Sequence, residues 1–214
     1  MKKSIIAASA ASVALAAMPV MGTFAATKGV TDNLSVTLDS TCSLTRTGAS
    51  ADGTWTPGDP ESTSAGQYTI AHMDAGTTAT FGTSTFTIVC NDTTSGHSLD
   101  VRATGLAGQS GIAGQYIDYS SNAVAAGTSG WNITISDVQG FGMGEGVAPV
   151  AGIVGVNYSG TDHQGTANLY GGTTTSKNNV ADATFKAQYK VGTSTTQAAG
   201  MYTGSAVYTL THGA

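Results

Sequence analysis

Residues 85–92 read Thr-Phe-Thr-Ile-Val-Cys-Asn-Asp, and their alternation decides the fold class. Phe86, Ile88 and Cys90 occupy every second position, so on an extended chain they share one face while Thr85 and Thr87 share the other. This is the period of a strand with one side in a core. Upstream, Leu34, Val36, Leu38, Cys42 and Leu44 keep a two-residue phase of their own, which sets Cys42 among apolar neighbours.

Both cysteines are expected to face the core, and the start of the chain says which redox compartment they meet. Lys2 and Lys3 precede an apolar stretch from Ile5 to Val20, and Thr23-Phe24-Ala25 supplies small residues of the kind a signal peptidase reads. Residues 1–25 are therefore read as a signal peptide and 26–214 as one secreted domain. A retained anchor would need about 20 strongly apolar residues, whereas this stretch is rich in Ala and Ser and is broken by Pro19. In an oxidising exterior two cysteines without a third competitor read as one disulfide, Cys42 with Cys90. Closing a loop of about fifty residues stabilises a fold by about 4 kcal/mol on the chain-entropy account. A redox pair would instead sit in a Cys-x-x-Cys arrangement.

Period-two alternation recurs along the chain, and helical spacing is scarce outside the leader. Strands are expected over 33–44, 67–73, 77–81, 84–91, 98–104, 114–119, 130–137, 150–158, 166–170, 180–191 and 201–211. Asp52-Gly53, Pro57-Gly58-Asp59-Pro60, Ser95-Gly96, Ser129-Gly130 and Gly171-Gly172 punctuate them as turns. Sheets that bury one face each pack as a sandwich. Near the C-terminus, Ala183, Phe185, Ala187 and Tyr189 alternate, a polar link follows, and Tyr202, Gly204, Ala206, Tyr208 and Leu210 resume the pattern. The expectation here is a two-stranded antiparallel hairpin, with the Tyr of Gly200-Met201-Tyr202 capping a sandwich corner.

Composition narrows the function classes. Only 10% of residues are charged, and the net charge is −5. Without Lys2 and Lys3, six basic residues face 13 acidic ones, a net −7. An acidic chain with scattered Lys has no electrostatic footprint for nucleic acid or an anionic membrane. No membrane insertion of the mature chain is expected.

Cys42 on a first alternating strand, TFTIVCND at 85–92 and LDVRATG at 99–105 resemble the N-terminal half of chaperone-usher fimbrial subunits and of spore-coat-protein-U-like secreted domains. FKAQYKVGTSTTQAAGMYTGSAVYTLT at 185–211 is similar to the closing strands of the same group. The resemblance covers about half of the mature chain. It implies an all-β, immunoglobulin-like antiparallel β-sandwich with one disulfide and extra loops or strands, in which Cys42 and Cys90 tie the first two core strands.

Catalytic constellations are thin. His72, His97, His163 and His212 lie far apart and form no His-x-His or His-Glu-x-x-His pair. His97 and His163 read as solvated loop residues. Ser159, Asp162 and His163 are the residue types of a nucleophilic triad, but so close in sequence they do not line up Ser to His to acid, and no Gly-x-Ser-x-Gly elbow is present. Glu61 and Glu145 both sit in loops, away from any paired-carboxylate arrangement. No enzyme activity and no cofactor are expected. The loop from Asp52 to Glu61 gathers three carboxylates that suit Ca²⁺, without EF-hand spacing; a plain acidic turn is the favoured reading. Trp55, Tyr116 and Tyr119 are the candidate ligand contacts, whereas Trp131 beside Ile133 and Ile135 reads as core.

Two functions fit these features. One is a non-enzymatic structural or adhesive subunit of the cell exterior that self-associates, with residues 28–38, in which Val30, Leu34, Val36 and Leu38 alternate, filling a groove in a neighbour. The other is a soluble secreted module that recognises a glycan or protein through the loops around Trp55 and 105–130.

Overall fold

The strand that carries the alternation at 84–90 runs back to Thr78, and a computed structural model shows Thr78–Cys90 as one strand of 13 residues. The structure describes residues 42–52, 54–56, 67–90, 97–141, 148–170 and 180–212. They belong to one compact unit, Leu38–Ala214. They contain fourteen strands and no helix. In chain order these are β1 (Cys42–Ser50), β2 (Thr54–Thr56), β3 (Gln67–Thr69), β4 (Thr78–Cys90), β5 (His97–Thr104), β6 (Leu106–Gly108) and β7 (Tyr116–Ile117). There follow β8 (Gly130–Gln139), β9 (Gly152–Ile153), β10 (Asn157–Ser159), β11 (Gln164–Tyr170), β12 (Val180–Gly192), β13 (Tyr202–Thr203) and β14 (Ala206–His212). No helix among the described residues is long and apolar enough to cross a membrane.

One sheet has the order β1-β4-β12-β8-β9 and a second the order β10-β11-β5-β14; β13-β6-β7 and β2-β3 form two smaller sheets. All their named pairings are antiparallel. Phe86, Ile88 and Cys90 of β4, Phe185 and Ala187 of β12, Ile133 and Ile135 of β8, and Leu99, Val101 and Ala103 of β5 are all buried and form a single core cluster. The chain is thus an all-β antiparallel sandwich. Six strands follow the immunoglobulin-like order: β1-β4-β12-β8 in one sheet and β5-β14 in the other. A seventh strand of that arrangement would lie beyond β14.

The disulfide joins Cys42 to Cys90, residues that stand directly opposite one another on neighbouring strands with Cα atoms 4.2 Å apart. The link therefore lies within one sheet and ties its edge strand to the next.

Several expected elements are redrawn. Segments 77–81 and 84–91 are one strand, because an irregularity opposite Tyr189 and Lys190 skips Phe81 and reverses the inward phase. Ala79 and Phe81 reach the core from odd positions before it, and Ser84, Phe86 and Ile88 from even positions after it. The expected strand at 150–158 divides into β9 and β10, in different sheets. Of the expected strand at 33–44, residues 33–41 lie outside the described residues, and β1 continues to Ser50.

The hairpin expected near the C-terminus does not form. β12 pairs with β4 and β8, while β14 pairs with β5 in the opposite sheet. Each strand is one-sided and apolar, so the two meet face to face across the core, with the Tyr189 hydroxyl donating to that of Tyr208 at 3.2 Å. The crossing between them is held by Tyr202, whose hydroxyl donates to the Ala198 carbonyl at 2.9 Å and accepts from Gln197 Nε2 at 2.8 Å. A Tyr at the entry of this strand, bonded back to backbone just upstream, is the corner that residues 200–202 suggest.

Candidate functional site

Burial along the strands exposes an asymmetry. Inward-facing residues of β12, of β5 and of β4 from Ser84 to Cys90 are sealed, but those of the two edge strands are not. On β1, Cys42, Leu44 and Arg46 are half-buried and alternate with exposed Ser43, Thr45 and Thr47. On β14, Ala206, Tyr208 and Leu210 are half-buried and alternate with exposed Val207 and Thr209. β14 bonds to β5 on one side, and among the described residues no strand pairs with its other side.

A cleft of about 870 Å³ opens beside these edges. Arg46, the segment 67–73 and Phe81 line one side, and the segment 197–206 lines the other. Leu106, Ile117, Trp131, Tyr189 and Val191 supply buried surface between them. Met201, 65% exposed, adds an apolar side chain to the lining. The ring of Tyr68 lies over Gly82, where a Cβ would strike both that ring and the Ala49 carbonyl oxygen. Glycine is needed there for the close approach.

Hydroxyls punctuate the apolar wall. Tyr68 and the fully buried Ser84 share a hydrogen bond of 3.0 Å between their hydroxyls. Burial pushes the Tyr189 hydroxyl pKa up from 10.0 to about 12, against the opposing effect of its bonds to Tyr208 and Ser84. Burial also pushes Tyr119 to about 12. An unfolded Tyr releases its proton near pH 10, so between pH 10 and about 12 the folded state binds more protons than the unfolded one. The stabilisation is complete below pH 10 and is lost as pH rises through about 12. Unfolding midpoints measured by circular dichroism should be flat below pH 10 and fall steeply above it; midpoints level to pH 12 would refute the assignment.

The residues singled out from sequence do not converge. Trp55 lies on β2 opposite Tyr68 of β3. Tyr119 is a core residue, 6% exposed, its ring edge-on to Trp131 and its hydroxyl donating to the Val154 carbonyl at 2.8 Å. Tyr116 stacks on His163, with ring centroids 3.5 Å apart and planes 5° from parallel. Tyr119 therefore presents no open ring face to a ligand, and His163 covers one face of Tyr116. Asp52 accepts a hydrogen bond from the Thr80 amide at 2.6 Å, while Asp59 and Glu61 lie outside the described residues. Among the described residues no three His, Cys, Asp or Glu side chains gather as metal ligands do.

His163 is more enclosed than a solvated loop residue. Its Nδ1 is 2.8 Å from Asp118 Oδ1, and the Tyr158 hydroxyl donates to the same oxygen at 2.8 Å. Burial and the Asp118 carboxylate both push the Tyr158 hydroxyl pKa far up. Gly105 permits this crowding, because a Cβ there would come within 2.6 Å of the Tyr158 hydroxyl. Ser159 donates to Asp162 at 3.2 Å, so Asp162 is engaged by Ser159 while His163 takes Asp118. The cluster pins the β10–β11 hairpin to the segment before β8. Asp118 and His163 are 45 residues apart, and no local pattern announces their meeting.

The cleft was missed for a different reason. Arg46 continues the inward phase of Cys42 and Leu44, two residues past the end of the strand expected over 33–44. Comparison with models of known families, with curated proteins and with solved structures finds no match for this chain.

Proposed function

We propose that this chain is an exported, non-enzymatic structural or adhesive subunit of the cell exterior, and that copies assemble by strand addition. Residues 28–38 of one copy would complete the open edge of the next. One observation carries the reading: the inward faces of β1 and β14 stay partly exposed, the outer edge of β14 is unpaired among the described residues, and a cleft that Arg46 of β1 and Ala206 of β14 help to line opens beside them. An added strand satisfies the free backbone groups of such an edge, and its alternate side chains fill the cleft. Val30, Leu34, Val36 and Leu38 have the required spacing. Export is supported by the leader-like residues 1–25 and by the disulfide, which suits an oxidising compartment. The resemblance to fimbrial subunits agrees with assembly.

The test is the double substitution L34D/V36D in the full chain. Wild type should run as a ladder of oligomers in unheated, non-reducing detergent gels and form filaments by electron microscopy, whereas the variant should run as monomer. A wild type that is monomeric throughout, or a variant with an unchanged ladder, overturns the reading. The secreted binding module would then stand in its place.

A further inference from the structure

The cluster around Asp118 is built more elaborately than a pin between two segments requires. His163 is the last residue of the turn between β10 and β11, and its φ of 50° is one of two positive values among the described non-glycine residues. Glycine or asparagine fills such a left-handed position readily, so the turn alone does not call for an imidazole. The ring is nonetheless fixed from three directions. The Gly105 amide donates to the His163 carbonyl at 2.7 Å, Asp118 Oδ1 lies 2.8 Å from Nδ1, and the Tyr116 ring covers one face. The same Oδ1 accepts from the Tyr158 hydroxyl, so the carboxylate is held twice through one oxygen.

These bonds decide what the cluster offers to solvent. An ionised carboxylate only accepts, so Nδ1 carries the ring proton, and Nε2 of the neutral imidazole keeps its lone pair. Asp118 Oδ2 receives no hydrogen bond from a described residue. The Asp118 side chain is 46% exposed and that of His163 28%. The two groups left over are both acceptors, and partners from separate segments set their positions.

Fixed acceptors select a ligand by what it must bring. An anion would meet like charge and find no donor. Neighbouring hydroxyls on a sugar ring supply donors at close spacing, and an aromatic side chain gives the carbon skeleton an apolar surface. We propose that Asp118 and His163 form a saccharide-binding site, in which hydroxyls of a neutral sugar donate to Asp118 Oδ2 and His163 Nε2 beside the Tyr116 ring. β10 and β14 are opposite edges of the second sheet, with β11 and β5 between them, so a strand added along β14 would leave the site uncovered. Each copy in a polymer would carry one site, and many weak sites on one fibre hold a glycan-coated surface by avidity. The inference extends the adhesive part of the proposed function and does not need strand addition, because sugar binding is read per chain in monomer and polymer alike.

Saturation-transfer NMR on the full chain tests it, with the methyl glycosides of glucose, galactose and mannose as probes and methylammonium as a donor-bearing cation. At least one glycoside should receive saturation, and methylammonium should not. D118N is expected to keep its carbonyl toward the two inward donors and to turn an NH2 outward in place of the second acceptor; binding should weaken about ten-fold. H163N should weaken it as much, since Asn suits the left-handed turn but removes Nε2, and its result stands whatever D118N does to folding. Silence from all three glycosides overturns the proposal. So does saturation of methylammonium alone, which would make this a cation site. Full binding retained by either folded variant places the sugar elsewhere and overturns the assignment as well.

Discussion

Replacing Cys42 and Cys90 together by Ser is expected to lower the free energy of unfolding by about 4 kcal/mol, the chain-entropy value for a loop of this length. The two positions are separated by 48 in sequence and are direct partners across β1 and β4. The native geometry therefore needs little from the bond, because β-pairing already holds the strands together. The effect falls mainly on the unfolded chain, which regains the freedom of a long loop. Urea unfolding of the oxidised wild type and of C42S/C90S measures it, with a larger denaturant slope for the variant, whose unfolded state is more open. A midpoint within error of wild type would show that the loop is already constrained without the bond.

Phe185→Ala should cost a similar amount, about 3–5 kcal/mol, through the native state instead. Phe185 is fully buried on β12, its ring stacked on Phe86 with centroids 4.9 Å apart and planes 12° from parallel. The Tyr208 ring approaches from the opposite sheet at 6.3 Å. Removing the ring empties space walled by both sheets, and strands held by backbone ladders cannot close over it. The slope of the urea transition should stay near that of wild type while the midpoint drops. A loss below about 1 kcal/mol would mean that the sheets move together to fill the void.

The sheet interior was legible because each of its residues reports locally. Phe86, Ile88 and Cys90, or Ile133 and Ile135, disclose their face by spacing alone, and the structure buries them as read. Strand partnership is a different quantity. Ala183–Tyr189 and Tyr202–Leu210 look like two arms of a hairpin because they are adjacent and alike, yet their likeness reflects two faces of one core. Alternation carries no information about which edge a strand offers. The phase reversal at Phe81 looked like a strand boundary for a related reason: an irregularity changes the face without ending the ladder.

The cleft was harder to foresee than the core. Its lining comes from β1, the segment 67–73, Phe81 and the segment 197–206, and none of these is distinctive alone. Arg46 lies two residues past the end expected for its strand, although its position continues the phase of Leu44. Tyr119, by contrast, reads in the sequence as a candidate ligand contact at the end of the strand expected over 114–119. Its neighbours in sequence are polar, but its neighbours in space are Trp131 and Val154.

The place where sulfur joins sulfur also governs how the molecule bears tension. Cys42 is the first residue of β1 and Cys90 the last of β4, so a pull on the chain ahead of Cys42 enters β4 through a covalent bond and bypasses the nine-residue edge strand. β4 is laced on one side to β1 and on the other to β12. While the bond is intact, β1 cannot be peeled from the rim starting at its Cys42 end.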